Sequence, residues 1–193
     1  MSKEFQPELI TFICPGNTCR SKMVEAIANK IFAGEYIFAS AGSDTKSAGK
    51  ITINAKNVLT KLGCKIADEN TKDIHDNPSL VKDASLVFCL NNEMMAGLKK
   101  FFPHDSEKFL RFAPGRDCLP DPLDLQGVTE KEIEQNNLTV YSKESYEFIA
   151  RLIVTSCMPQ MIRDMELQGF EVSYVAKARL MQLNQAVSTR SRL

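Results

Sequence analysis

Residues 14–21 read Cys-Pro-Gly-Asn-Thr-Cys-Arg-Ser, which places two thiols, a guanidinium, an amide and two hydroxyls in eight positions. Successive backbone N–H groups in such a loop can curl around an anion, and Gly16 offers it a tight or positive-φ position. The planar fork of Arg20 can take two oxygens of a phosphate-like group at once. Cys14, the first loop residue, faces the centre of that cradle. Donors that hold an anion also favour a thiolate, lowering a cysteine from about 8.5 toward the range of roughly 3.5 to 7.5 found for activated thiols. Ser21 can donate a further hydrogen bond to the sulfur, and the amide of Asn17 suits a role in holding the loop's shape. Pro15, Gly16, Asn17, Thr18, Cys19, Arg20 and Ser21 together make a phosphate-sized cradle with Cys14 as nucleophile and Arg20 as oxyanion binder. Zinc prefers paired C-x2-C or Cys/His spacings. Cys14 and Cys19 are the one close cysteine pair, and His75 and His104 belong to no such cluster, so no metal site is expected.

The loop needs a strand before it and a helix after it. Leu9–Ile13 is an apolar run suited to a buried strand, and Met23, Val24, Ile27 and Ile31 recur at helical spacing behind it. Ser21 is the expected N-cap of that helix and Gly34 its stop. The helix then points its positive end at the anion, from the carboxyl edge of a sheet where open α/β folds bind ligands. Further strands are expected at Tyr36–Ser40, Ala84–Leu90 and residues 108–112. Helices are expected around Ala55–Leu62, over residues 91–102 up to Pro103, and as one long closing helix through Tyr146, Ile149, Ile153 and Cys157. This alternation gives an α/β fold with a mainly parallel sheet. Residues 126–139 read as a polar excursion, and the stretch after Gly169 as a small appendage with a frayed end. The expected organisation is one domain over residues 1–168 and a C-terminal extension over 169–193.

The chain has 193 residues, 44% of them hydrophobic and 25% charged, with 24 basic and 24 acidic side chains. A balanced charge gives no reason to expect nucleic acid as a partner. The polar N-terminus and the lack of an apolar run near ~20 residues point away from a membrane and toward the cytoplasm. Six cysteines in such a chain read as thiols rather than a disulfide framework.

The stretch from Phe12 to Ala26 resembles the active-site loop of the low-molecular-weight protein tyrosine phosphatases, V-C-x-G-N-x-C-R-S-P-x-A-E. Cys14, Gly16, Asn17, Cys19, Arg20, Ser21 and Glu25 match; Pro15, Lys22 and Val24 depart from the commonest form. The resemblance continues in order through Ser40–Gly42, residues 59–63, 86–90 and 98–103, and Pro120–Pro122. It implies a three-layer sandwich around a four-stranded, mainly parallel sheet of the phosphotyrosine protein phosphatase I-like type. It also implies a cysteine-dependent phosphatase that uses no cofactor and acts on a phosphorylated protein substrate, phosphotyrosine before others, through a phosphocysteine intermediate. The family takes its general acid from an Asp-Pro late in the chain, which Asp121-Pro122 matches; Asp117 and Asp124 lie close by. Leu123 would then form an aliphatic wall of the substrate pocket. Thr18 resembles the protein arginine phosphatase branch, and the run Cys19–Met23 resembles the arsenate reductases on the same fold. A non-catalytic phosphoprotein-binding module is the remaining alternative, against which the presence of both Cys14 and Asp121 counts. Cys19, five residues from Cys14, can trap it as a reversible disulfide and so regulate it. In the family a basic segment with a histidine often supports the loop after the second helix; here Asp68, Glu69 and Asn70 occupy that region. The sequence leaves the oligomeric state undetermined.

Overall fold

Four short strands of mostly apolar residues carry the core. In the computed structural model, which describes residues 7–45, 49–112, 118–122 and 128–189, they are β1 (Leu9–Cys14), β2 (Ile37–Gly42), β3 (Leu86–Cys89) and β4 (Phe109–Arg111). They form one parallel sheet in the order β2-β1-β3-β4. Because β1 is central, its side chains are buried on both faces, which is why it reads as a continuous apolar run rather than an alternating one.

Helices cover both faces. Ile10, Phe12 and Cys14 of β1 pack with Leu86 and Phe88 beneath α1 (Arg20–Phe32), α2 (Ile53–Lys61), α6 (Lys143–Leu152), α7 (Met158–Leu167) and α8 (Tyr174–Thr189). Phe12 is the hub, with ring centroids 5.8 Å from Phe38, 5.9 Å from Phe88 and 5.5 Å from Phe112. The other face buries Ile13, Ala41, Val87 and Cys89 against Val81 of α3 (Ser79–Lys82) and Leu98 of α4 (Asn92–Phe101). This is the expected three-layer α/β arrangement, with all strand pairs parallel.

Some elements differ from the reading of the sequence. Helix α1 begins at Arg20 with Cys19 as its N-cap, so Ser21 lies inside the first turn and its hydroxyl is directed elsewhere. The polar stretch after residue 126 contains α5 (Glu130–Asn136), started by a reciprocal capping box between Thr129 and Glu132. The closing helix is interrupted at Ile153–Cys157, where the backbone widens into a π turn. Pro159, in the first turn of α7, has no N–H to offer and crowds the carbonyl four residues before it, which disfavours an unbroken α-helix through Thr155. The C-terminal stretch is helical: Ala176, Leu180, Leu183 and Val187 of α8 are buried in the same cluster as α1.

Candidate active site

The candidate site is built at the carboxyl end of β1. Cys14 ends the strand and is buried, as are Asn17, Cys19, Arg20 and Ser21; Pro15, Gly16 and Thr18 are half-buried. The Cys14 sulfur lies 3.0 Å from Ser21 Oγ and accepts from the Asn17 backbone N–H at 3.3 Å. Arg20, buried in the first turn of α1, donates from Nη1 to the Leu119 carbonyl at 3.3 Å, and its Nη2 pairs with Asp121.

Asn17 organises the loop from behind. Its Oδ1 accepts from Lys72 N at 2.8 Å, which fixes the amide's orientation, and Nδ2 donates to both Ser21 Oγ and Ser40 Oγ at 2.9 Å. With one lone pair of Ser21 occupied in this way, its proton is free for the Cys14 sulfur. Ser40 in turn donates its hydroxyl hydrogen bond to the buried carboxyl of Glu25. Burial pushes the Glu25 carboxyl above its ordinary value, against the opposing effects of the Ser40 hydroxyl and the Lys22 charge. With Asp68, Glu69 and Asn70 in place of a basic segment, the loop is supported by a backbone N–H of Lys72, a serine and a glutamate. The positive φ of the loop sits at Asn17 (φ 52°), not at Gly16 as the residue types suggested. Asparagine is among the few L-residues that visit this region readily, and here three side-chain hydrogen bonds hold it there.

A glycine that the chemistry of the loop does not advertise is also required. A Cβ on Gly42, at the end of β2, would lie 2.5 Å from the Pro15 carbonyl oxygen and 3.1 Å from Asn17 N. Only glycine lets β2 support the loop at this range.

Asp121 reaches the site although it stands about a hundred positions after Arg20. Asn91 and Cys118 form a short antiparallel bridge, and Leu119 N donates to the Leu90 carbonyl at 2.7 Å, so residues 118–122 hang from the end of β3. On the far side, Tyr141 N donates to the Pro122 carbonyl at 2.9 Å, and Asn54 Nδ2 donates to the Tyr141 carbonyl at 2.8 Å. Thr52 N donates to the Thr18 carbonyl at 2.8 Å and closes the rim. Leu123, expected as a pocket wall, lies outside the described residues, as do Asp117 and Asp124.

All six cysteines are buried, and none is in a disulfide. Cys19 points into the core, 3.6 Å from the Met23 sulfur, and burial followed by the nearby Asp121 charge pushes its thiol well above the ordinary value. Cys89 pairs in register with Ile13, so its side chain lies on the opposite face of the sheet from Cys14; burial pushes that thiol up to about 12. Among the described residues no group of three His, Cys, Asp or Glu side chains is placed to hold a metal, and no helix is long and apolar enough to cross a membrane.

Residues 9–136 match the family described as low molecular weight phosphotyrosine protein phosphatase. An arsenate reductase of Staphylococcus aureus (strain Newman) is 37% identical over 81 residues, which is 42% of this chain and 58% of that protein. The structure of Vibrio vulnificus Wzb in complex with benzylphosphonate shares the fold with a TM-score of 0.64 at 19% identity, over 81% of this chain and 98% of that one. The YwlE arginine phosphatase from Geobacillus stearothermophilus gives a TM-score of 0.58 at 23% identity, over 86% and 100%. At these identities the structural likeness is one of fold, while the family match spans both the loop and its supporting sheet. The chain is a member of the low molecular weight phosphotyrosine protein phosphatase family.

Proposed function

We propose that the protein is a cysteine-dependent phosphatase that hydrolyses phosphorylated protein side chains, phosphotyrosine first among them. The observation that carries this reading is the meeting of Cys14, Arg20 and Asp121 at one end of the sheet: a sulfur with two donors, a buried guanidinium, and a carboxyl paired to it. Binding of the phosphate places its oxygens on Arg20 and the loop N–H groups, and displaces the Asp121 carboxylate from the guanidinium toward the leaving oxygen, where it takes up a proton from solvent. The Cys14 thiolate attacks phosphorus in line as the P–O bond to the leaving group breaks, and Asp121 protonates that oxygen. The resulting carboxylate then takes a proton from water, which attacks phosphorus and releases phosphate and the thiolate. Charge that grows on the equatorial oxygens is met by donors already in place.

Thr18, half-buried in the loop, keeps phosphoarginine as the alternative substrate through its resemblance to the protein arginine phosphatase branch. The S. aureus relative keeps arsenate reduction in view. That chemistry needs a second thiol to attack the Cys14 adduct, and Cys89 faces away from it across the sheet. The test is hydrolysis of phosphotyrosine and phosphoarginine peptides and thiol-dependent arsenate reduction, all with one preparation. Arsenate reduction without phosphatase turnover would overturn the reading.

Cys19 is proposed as the capture partner of an oxidised Cys14. Peroxide converts the Cys14 thiolate to a sulfenic acid, and attack by the Cys19 sulfur forms the disulfide and expels water. Because Cys19 is buried and its thiol is held protonated, capture should be slow. Mass mapping after mild peroxide should show a Cys14–Cys19 bridge that dithiothreitol reverses; over-oxidised Cys14 without a bridge would remove Cys19 from this role.

A further inference from the structure

A groove of about 540 Å³ opens beside the Cys14 loop and along α4. One wall is Pro15, the loop residue after the nucleophile, with Ser43 and His75. Ser43 N donates to the Cys14 carbonyl at 3.1 Å and Asp44 N to the Pro15 carbonyl at 2.9 Å, so this wall is fastened to the loop itself. The other wall is the face of α4 that carries Met94, Gly97 and Phe101 at helical spacing. Asn91 caps that helix by accepting from Met94 N at 3.1 Å, and it bridges to Cys118, which leads into the segment carrying Asp121. Phe101, 58% exposed, stands edge-on to His75 with ring centroids 4.6 Å apart, and there the two walls touch. The groove is therefore held in fixed register with both the nucleophile and the acid.

Gly97 is the informative residue of this groove. It lies in the interior of α4, where glycine weakens a helix relative to alanine. Its backbone shows no positive φ, and a Cβ built on it meets nothing within 4 Å. Neither conformation nor internal packing asks for glycine here, in contrast to Gly42. The residue is exposed on the groove floor, where the missing side chain lets a ligand's chain approach the helix backbone closely.

We propose that this groove receives the substrate polypeptide on one side of its phosphorylated residue, with a large apolar side chain of that segment packed over Gly97 against Met94 and Phe101. The inference rests on the phosphatase reading and adds the sequence context that its substrate presents. Continuity commits the occupant. A phosphate held over Cys14 is bonded to a chain whose next residues must pass the rim, and Pro15 belongs both to the loop and to the groove wall. Length agrees. Met94 and Phe101 stand seven positions apart on α4, about 10 Å of helix rise, which about three residues of extended chain would span. The apolar side chain thus belongs within about three positions of the phosphorylated residue. The groove touches no reacting atom; it selects the neighbours of the phosphorylated side chain.

The test uses the full chain and its Gly97→Gln and Phe101→Ser variants. Turnover of p-nitrophenyl phosphate and inhibition by inorganic phosphate serve as references, because neither compound is long enough to enter the groove. Phosphotyrosine and phosphoarginine peptides carry leucine or alanine at each of the three positions on either side. Leucine on one side should lower KM about three- to tenfold with kcat unchanged, since an open groove covers part of a leucine side chain. Gly97→Gln puts a side chain where the peptide lies. It should raise the Tm through helix propensity, erase the leucine preference and leave both references at wild-type values. Phe101→Ser should reduce the preference without erasing it. A flat scan in the wild-type chain, a preference that survives Gly97→Gln, or a parallel fall in p-nitrophenyl phosphate turnover each overturn the proposal. If the wild-type chain hydrolyses no phosphate ester at all, the phosphatase reading fails instead. The two failures are therefore distinct.

Discussion

The mouth and the back of the Cys14 loop are built on opposite plans. At the mouth, Arg20 is satisfied by Asp121 and by the Leu119 carbonyl, partners that a bound oxyanion can replace. At the back, Asn17 spends both ends of its amide on fixed protein groups, Lys72 N, Ser21 and Ser40, and Ser40 is anchored in turn by Glu25. Exchangeable partners in front and permanent ones behind are what a binding loop requires: the donors keep their geometry while the charge they hold changes hands. The Arg20–Asp121 pair is buried, so taking away one member alone leaves an uncompensated charge, whereas exchanging carboxylate for phosphate does not.

The sharpest break comes at the mouth. Cys14→Ser should abolish turnover and phosphoenzyme trapping with the fold intact, because a serine hydroxyl stays protonated where the thiol ionises. Substantial turnover by this variant would refute the nucleophile. Arg20→Ala should cost several orders of magnitude in kcat/KM, since it removes a bidentate contact that strengthens as charge moves to the equatorial oxygens. A rate within tenfold of wild type would take Arg20 out of the mechanism.

Asp121→Asn tests whether the front pair really exchanges. General acid catalysis is worth about 10²–10⁴-fold, so phenyl phosphate should slow by that order while an acidic leaving group such as p-nitrophenol slows far less. The alkaline limb of the rate profile should flatten, and the acidic limb should remain. Removing the carboxylate also frees Arg20 from its resident partner, so inorganic phosphate should inhibit this variant more strongly than wild type. Weaker phosphate inhibition would mean that Asp121 holds Arg20 in place rather than competing for it.

The same division separates what was legible in the sequence from what was not. The mouth is written locally: Cys14, Arg20 and Ser21 fall within one loop, and Asp121-Pro122 carries its own signal. The back is assembled from residues 17, 21, 25, 40 and 72, whose meeting depends on the register of β1 with β2, where Cys14 pairs with Gly42. No local pattern announces that. Gly16 drew the positive φ because glycine accepts it at no steric cost; Asn17 took it because side-chain bonds available only in the fold offset the strain. Helix α5 escaped for a different reason. Its Thr129–Glu132 capping box was visible, but no helical residue of it is buried, so the apolar periodicity that marks helices was missing. Helix α8 does carry an apolar face, through Ala176, Leu180, Leu183 and Val187, and its destination against α1 only the fold supplies.

The smallest effect tests the back, at a position where the chain departs from the commonest family pattern. Lys22 is 2% exposed, and its Nζ donates to the Asp68 carbonyl at 3.0 Å. Burial lowers its pKa from the ordinary lysine value, while Glu25, Asp68 and Cys14 pull the other way and Lys72 adds to the lowering. An ammonium enclosed on the same helix turn as Ser21 adds positive potential behind the sulfur, beside Arg20 and the N-terminus of α1. Lys22→Met keeps the length and removes the charge that faces Cys14, so iodoacetamide at neutral pH should alkylate Cys14 about three- to tenfold more slowly, with the rate at high pH unchanged. A purely structural role would lower the rate at high pH as well. Because the substitution also takes from Glu25 one of its two cationic neighbours, leaving Lys72, Lys22→Met/Glu25→Gln provides a second background in which to repeat the measurement. Neutral-pH rates that coincide with wild type in both folded variants would mean that Arg20 and the helix terminus alone set the reactivity of the sulfur, and that the back of the loop contributes geometry without charge.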